Sequence, residues 1–162
     1  MRGDGNGWTW CVLGHRHWGR YGAAGLLLRR DDPAGSVTGS VIRGDSAAPS
    51  VLLQHRAAWT SDGGTWSLPG GARDSHESVI QAALREAHEE AGIDRAAVAV
   101  VGEWQDDHGG WSYTTVIAEV IGPLRLVPNA ESAELRWVSE PDVAAFALHP
   151  GFAGSWPSLR QG

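Results

Sequence analysis

Residues 71–93 read GARDSHESVIQAALREAHEEAGI, and no other stretch constrains the fold as tightly. Val79, Ile80, Ala83, Leu84, Ala87 and Ala91 recur at helical spacing, and Glu86, Glu89 and Glu90 fall on an adjacent face. The pattern predicts a helix opened by Asp74, with Glu77 three residues on in the manner of a capping box, and stopped by Gly92. One side of that helix can pack while the other gathers three carboxylates into a small volume. The helix dipole aggravates their repulsion, disfavouring anions near a C-terminus by roughly 0.3–1 kcal/mol each. A hard divalent cation that prefers oxygen ligands, such as Mg2+, answers that charge better than the chain's few and dispersed arginines.

Composition narrows the partners. A chain of 162 residues with 42% hydrophobic content supports a single domain with a real core. A formal net charge of -6 argues against a nucleic-acid polymer as the main partner, because a phosphate backbone demands a basic stripe. A small, metal-bound phosphate ligand escapes that objection. All 13 basic residues are arginine, which removes the P-loop lysine, the Schiff-base lysine and the kinase ATP lysine together. Phosphate recognition then falls to arginine, metal or backbone. The single cysteine, Cys11, excludes an internal disulfide, and the opening MRGDGNGWTW lacks the apolar length of a secretory signal. With no run of transmembrane length, no membrane partner is expected, and the expected location is cytoplasmic.

The same run matches G-x5-E-x7-R-E-U-x-E-E-x-G-U, where U is a bulky aliphatic residue, and so resembles the box of the Nudix hydrolase family. Gly71, Glu77, Arg85, Glu86, Glu89, Glu90 and Gly92 fill the fixed positions and Ile93 the last aliphatic one, while Ala87 is a small substitute for the first. Before the box come a predicted strand at Gly22–Arg30, a Gly-, Ser- and Asp-rich passage to Pro49 that reads as hairpin and loop, and an apolar strand at Val51–Gln54. After it come strands at Ala97–Trp104 and Trp111–Ile121 around a polar DDHGG turn and a short strand at Leu135–Val138. Short helices at Asp142–Leu148 and Phe152–Leu159 close the order.

This order is similar to the Nudix α/β/α sandwich around a mixed β-sheet, and residues 22–162 are expected to form that domain. Residues 1–21 stand apart, with Trp8, Trp10, Cys11, His15, His17 and Trp18 crowded together. A structural zinc site needs four ligands in paired spacing and only three candidates lie here, so the expectation is an aromatic extension packed on the domain.

What the resemblance implies for the site can be carried over position by position. Glu86, Glu89 and Glu90 match the acids that bind Mg2+ or Mn2+, and Glu86 also matches a position treated in MutT-like members as the base for the attacking water. Gly70 precedes the box glycine, where a backbone carbonyl looks toward the metal. Glu77 and Arg85 match support residues that brace loop and helix. MutT-like members add a carboxylate from a loop shortly before a Trp-containing strand. Here NAESAELRWV leads to Trp137, and Glu131 is the choice for that catalytic and metal-binding position. Glu134 is its rival, with Glu103, Asp106 and Asp107 as a further acid source.

Arg56 closes its strand as QHR, matching the place of a phosphate-contacting arginine whose planar guanidinium suits bidentate contacts. An exposed indole can stack on a base for roughly 1–3 kcal/mol. Among nine tryptophans, Trp66 beside LPGG and Trp111 at the mouth of a strand are the candidates for such a clamp. His149 lies where the C-terminal helix of related enzymes approaches the base.

The resemblance implies Mg2+-dependent hydrolysis of a small nucleotide, in the MutT manner a nucleoside triphosphate cleaved to monophosphate and pyrophosphate, with an oxidised purine nucleotide as a candidate. The alternatives are an ADP-ribose or other diphosphate-linked pyrophosphatase, and a nucleotide-binding module on a Nudix scaffold. Dinucleoside polyphosphates are hinted at only by Tyr113. A homodimer is compatible with any of these.

Overall fold

The computed structural model describes residues 3–31, 37–38, 41–42, 49–60 and 62–160 of the chain. Its centre is a mixed sheet in the order β11, β6, β3, β10, β9, formed by Ser132–Ser139, Ser50–Arg56, Ala23–Arg30, Ser112–Val120 and Val98–Asp107 respectively. β10 runs parallel to β3, and the other neighbours are antiparallel. Period-two alternation decides what each face buries. Leu26, Leu28 and Leu52 point to one side, against the helix α1 at Val79–Ala91, while Leu27, Val51 and Leu53 point to the other. There they meet Val143 of α2 (Glu140–Val143) and Phe152, Trp156 and Leu159 of α3 (Pro150–Leu159). The result is the expected α/β/α sandwich around a mixed sheet.

One departure from regular pairing creates the space for a site. β3 and β6 pair only at Arg29–Val51 and Arg30–Ser50, then diverge. The wedge between them takes two short strands, β7 (Trp66–Ser67) on β6 and β8 (Gly70–Ala72) on β3. The LPGG segment is thereby delivered to the flank of α1.

Several predicted boundaries shift. α1 begins at Val79 rather than near Asp74, because Ser78 is the N-cap: its hydroxyl accepts from the Gln81 amide while the Gln81 side chain accepts from the Ser78 amide. Gly92 closes the helix in the left-handed conformation, φ 70°, as its sequence position requires. β9 extends to Asp107, three residues beyond the predicted end, and β11 spans eight residues instead of four. The helix predicted at Asp142–Leu148 is instead the four-residue α2. Of the passage before Pro49, Val37–Thr38 and Val41–Ile42 form a two-stranded ladder, β4 and β5, and the rest lies outside the described residues.

The N-terminal residues form a hairpin of β1 (Trp8–Trp10) and β2 (Arg16–Trp18). Thr9 and His17 are its half-buried residues, and Trp8, Trp10 and Trp18 are exposed. Trp8 and Trp18 meet edge to face at 5.2 Å, with the Arg16 guanidinium 4.1 Å over the Trp8 ring.

Candidate active site

The site grows from the buried side of α1 outward. Ala82, Ala83, Ala87 and Ala91 are small enough to bring the helix close to β3. That approach drags Glu90 into the interior, where it is 5% exposed, and Glu86 nearly so. The Glu90 carboxylate accepts from the Gly70 amide at 3.1 Å. Gly71 lets the Glu86 carboxylate lie against the backbone, since a Cβ there would fall 2.7 Å from its carboxyl carbon and displace it. Glu89 remains more than half exposed at the rim.

Electrostatics separates these acids. Burial pushes the Glu90 carboxyl up to about 8, with the neighbouring Glu86 and Glu131 charges adding to the rise and Arg56 opposing it. Glu86 is also raised, first by burial, with Glu89 and Glu131 contributing and Arg85 opposing. Glu131, chosen from the sequence over Glu134, therefore faces the box acids. Its loop is drawn there by the Asn129 amide and the Ser132 hydroxyl, which both donate to the Glu90 carbonyl, at 3.1 and 3.3 Å. Glu134 is spent on Arg136 at 2.8 Å on the surface. Asp106 pairs with His108 at 3.0 Å, and Asp107 accepts from the Gly109 amide at 2.8 Å.

Glu77 and Arg85 brace this arrangement. The Arg85 guanidinium donates to both Glu77 oxygens at 2.7 and 2.9 Å, to the Ala72 carbonyl at 3.0 Å and to Glu86 at 2.9 Å. The Glu77 carboxyl is held below its ordinary value by that guanidinium. Arg56 ends β6 opposite Ser132, beside Glu131, whose carbonyl accepts from the Ala57 amide at 3.0 Å. It is close enough to Glu90 and His149 to oppose the rise of one and depress the other.

The three aromatic candidates are not gathered as a base clamp. Trp66 is 8% exposed, stacks on His55 at 4.4 Å and meets Phe146 edge-on, so its faces belong to the core beneath α3. Trp111 stacks on His17 of the hairpin at 4.0 Å, which occupies one of its ring faces. His149 caps α3, accepting from the Gly151 amide at 3.1 Å, and its other nitrogen lies 3.1 Å from Asp62. Burial holds its imidazole below the ordinary value. A lone sequence cannot tell a packed indole from a free one.

Tyr113 had no assigned place in the site, yet its hydroxyl overlies the glycines of β3 and β8. A Cβ at Gly25 would fall 1.9 Å from it and one at Gly70 3.0 Å. Its phenol is raised by burial and by Glu90. Gly25 within an apolar strand is the kind of sequence signal that marks such a close approach.

Among the described residues no three acidic, histidine or cysteine side chains converge on one point, since Glu86 turns to Arg85 and Glu90 to the Gly70 amide. The residues nevertheless fit a hard divalent cation. The buried Glu90 carboxyl is raised by its neighbour Glu86, and the largely buried Glu86 by Glu89 and Glu131, with Arg85 and Arg56 as partial cationic partners and oxygen as the only donor type. Among the described residues no helix is long and apolar enough to cross a membrane.

The model of the NUDIX domain matches residues 33–161, and the chain belongs to the Nudix hydrolase family, enzymes that cleave phosphoric anhydride bonds. It is 52% identical over 166 residues to a Mycobacterium tuberculosis protein named "Putative 8-oxo-dGTP diphosphatase 3", covering 99% of this chain and 71% of that protein. It is 44% identical over 156 residues to a Bifidobacterium longum nucleoside triphosphate pyrophosphatase/Nudix hydrolase fusion protein, covering 94% of this chain and 30% of the fusion. The crystal structure of a Nudix hydrolase from M. smegmatis, RenU, superposes with a TM-score of 0.84 at 52% identity, covering 96% of this chain and 93% of that one.

Proposed function

We propose that this Nudix hydrolase cleaves a nucleoside triphosphate to nucleoside monophosphate and pyrophosphate, dependent on Mg2+ or Mn2+, with an oxidised purine nucleotide as the leading substrate. The observation that carries the reading is the pair of buried, under-compensated carboxylates, Glu86 and Glu90, faced by Glu131 and flanked by Arg56. The name of the M. tuberculosis relative supports the substrate class.

A bound divalent cation would neutralise phosphate oxygens and polarise phosphorus for in-line attack by water. Glu90, Glu86, Glu89 and Glu131 are the residues that would hold it. Glu86 accepts the proton of the attacking water. Arg56 binds a substrate phosphate through its guanidinium fork. Glu77 and Arg85 keep Glu86 aimed and touch no substrate. We place this chemistry in the cytoplasm.

The reading is tested by incubating the protein with Mg2+ and a panel of triphosphates, 8-oxo-dGTP among them, and ADP-ribose, with products separated by chromatography. Release of pyrophosphate and a monophosphate is expected from a triphosphate. Cleavage of ADP-ribose with every triphosphate intact would overturn it.

A further inference from the structure

The first residues of the described chain reach past the hairpin to the loop that precedes α1. Asp4 accepts from the Ser75 amide at 2.8 Å through one oxygen and pairs with the Ser75 hydroxyl through the other. In return the Gly5 amide donates to the buried Asp74 carboxylate at 2.9 Å. The approach leaves no room for side chains: a Cβ at Gly3 would fall 1.9 Å from Asp74 oxygens, and one at Gly5 would fall 2.0 Å from the Arg73 carbonyl. The segment is itself anchored, because the Arg20 amide donates to the Gly5 carbonyl at 2.8 Å and the Gly19 amide to Gly7 at 2.7 Å.

From Asp74 a continuous chain of bonds leads to the site. The Asp74 amide donates to Glu77 at 3.0 Å, and the Glu77 amide donates to the Asp74 carbonyl at 3.1 Å. Glu77 orients the Arg85 guanidinium, whose remaining nitrogen holds Glu86 at 2.9 Å. Asp74 is thus consumed as a tether, which explains why it does not cap α1.

We propose that Gly3–Gly5 is a clasp on the box loop, and that Asp4 is a positioning residue which sets Glu86 through Ser75, Asp74, Glu77 and Arg85. The clasp lies wholly outside residues 33–161, the part that matches the family's domain. Its role rests on the reading of Glu86 as a cation-binding acid. Partners that orient metal ligands typically change metal affinity about 10–100-fold when removed, and a clasp that acts through Ser75, Asp74, Glu77 and Arg85 is expected at the lower end of that range.

The test uses the full chain, with Asp4→Ala and Asp4→Asn. Asparagine keeps an oxygen that can accept from the Ser75 amide. Free Mn2+ is titrated by electron paramagnetic resonance, amide exchange is read over residues 73–78, and kcat and KM are measured separately. Asp4→Ala is expected to speed exchange in that loop, weaken Mn2+ binding about tenfold and lower kcat with little change in KM. Asp4→Asn is expected to recover most of each.

A parent protein that binds no Mn2+ would overturn the functional reading and the clasp's role with it. A parent that binds Mn2+ beside an equally tight, equally active Asp4→Ala would overturn the clasp alone. Faster loop exchange without loss of Mn2+ affinity or kcat would also overturn it, because the segment would then be only a tether.

Discussion

Glu77, half-buried, and Glu90, buried, belong to the same motif, yet the protein holds them in opposite electrostatic states. Around Glu77 the chain supplies its own counter-charge: Arg85 donates twice to it and lowers its proton affinity. Around Glu90 it supplies one backbone amide and the distant help of Arg56, and burial with Glu86 pushes the carboxyl up to about 8. The first carboxylate is compensated by the protein, and the second is left for something the protein does not carry. A single run of acids therefore divides into a bracing half, where Arg85 donates twice to Glu77, and a reacting half, where it reaches Glu86 through one nitrogen at 2.9 Å and Glu90 is left to the Gly70 amide.

The largest effect that tests this division is expected from Glu90→Gln. Mg2+-dependent hydrolysis should fall by about 100-fold or more, with circular dichroism unchanged, because a charge aimed at the reacting group is lost while the Gly70 bond can persist. Turnover equal to the parent would break the comparison at its reacting half.

Gly71→Ala should come next. The added methyl enters the space of the Glu86 carboxyl, and kcat is expected to drop about tenfold with a smaller change in melting temperature. Steady-state kinetics beside a thermal melt would show whether geometry or stability has suffered.

Glu77→Gln addresses the bracing half. It leaves Arg85 short of a charged partner in a partly buried place, at a stability cost of about 1–3 kcal/mol in urea unfolding at pH 7. The sign of its pH dependence follows from the lowered carboxyl. The contribution is present above the ordinary value of 4.5 and is lost as pH falls through the depressed one, so the gap between variant and parent should close on acidification below 4.5. A difference that grew on acidification would mean that Arg85 does not stabilise the Glu77 charge.

Trp10→Ser should do least. This indole is 65% exposed on the hairpin and touches neither half of the motif, so stability should change by less than about 0.5 kcal/mol and kcat should not change. A marked loss of activity would carry the site onto the hairpin face.

Much of this was legible because helical periodicity and the fixed acids of the box are local properties of one sequence run. The α1 core face, the Gly92 stop, the roles open to Glu77 and Arg85, and the unbroken apolar runs that make β3 and β6 central strands all follow from residues near one another. The N-terminal end of α1 was misplaced because Asp74–Glu77 and Ser78–Gln81 have the same three-residue spacing. In the structure Ser78 and Gln81 form the box, while the Asp74 carboxylate accepts from the Gly5 amide, 69 residues away. The packing of Trp66 and Trp111 was out of reach for a related reason: their partners, His55 and His17, come from other strands, and stacking across strands is set by tertiary packing. Tyr113 reaches the site through the parallel pairing of β10 with β3, a register that no local pattern announces.

The reacting half carries a charge that the protein leaves unbalanced. Melting temperatures of the parent and of Glu90→Gln at pH 8.5, each in chelator and in Mg2+, test it most directly. The account predicts that in chelator the variant melts higher than the parent, by a few degrees on the scale of about 2–4 °C per kcal/mol for a chain of this size, because a buried charge has been removed. In Mg2+ the order should reverse, with the parent gaining and the variant hardly moving. A variant that melts below the parent in chelator, and gains as much from Mg2+, would contradict the account.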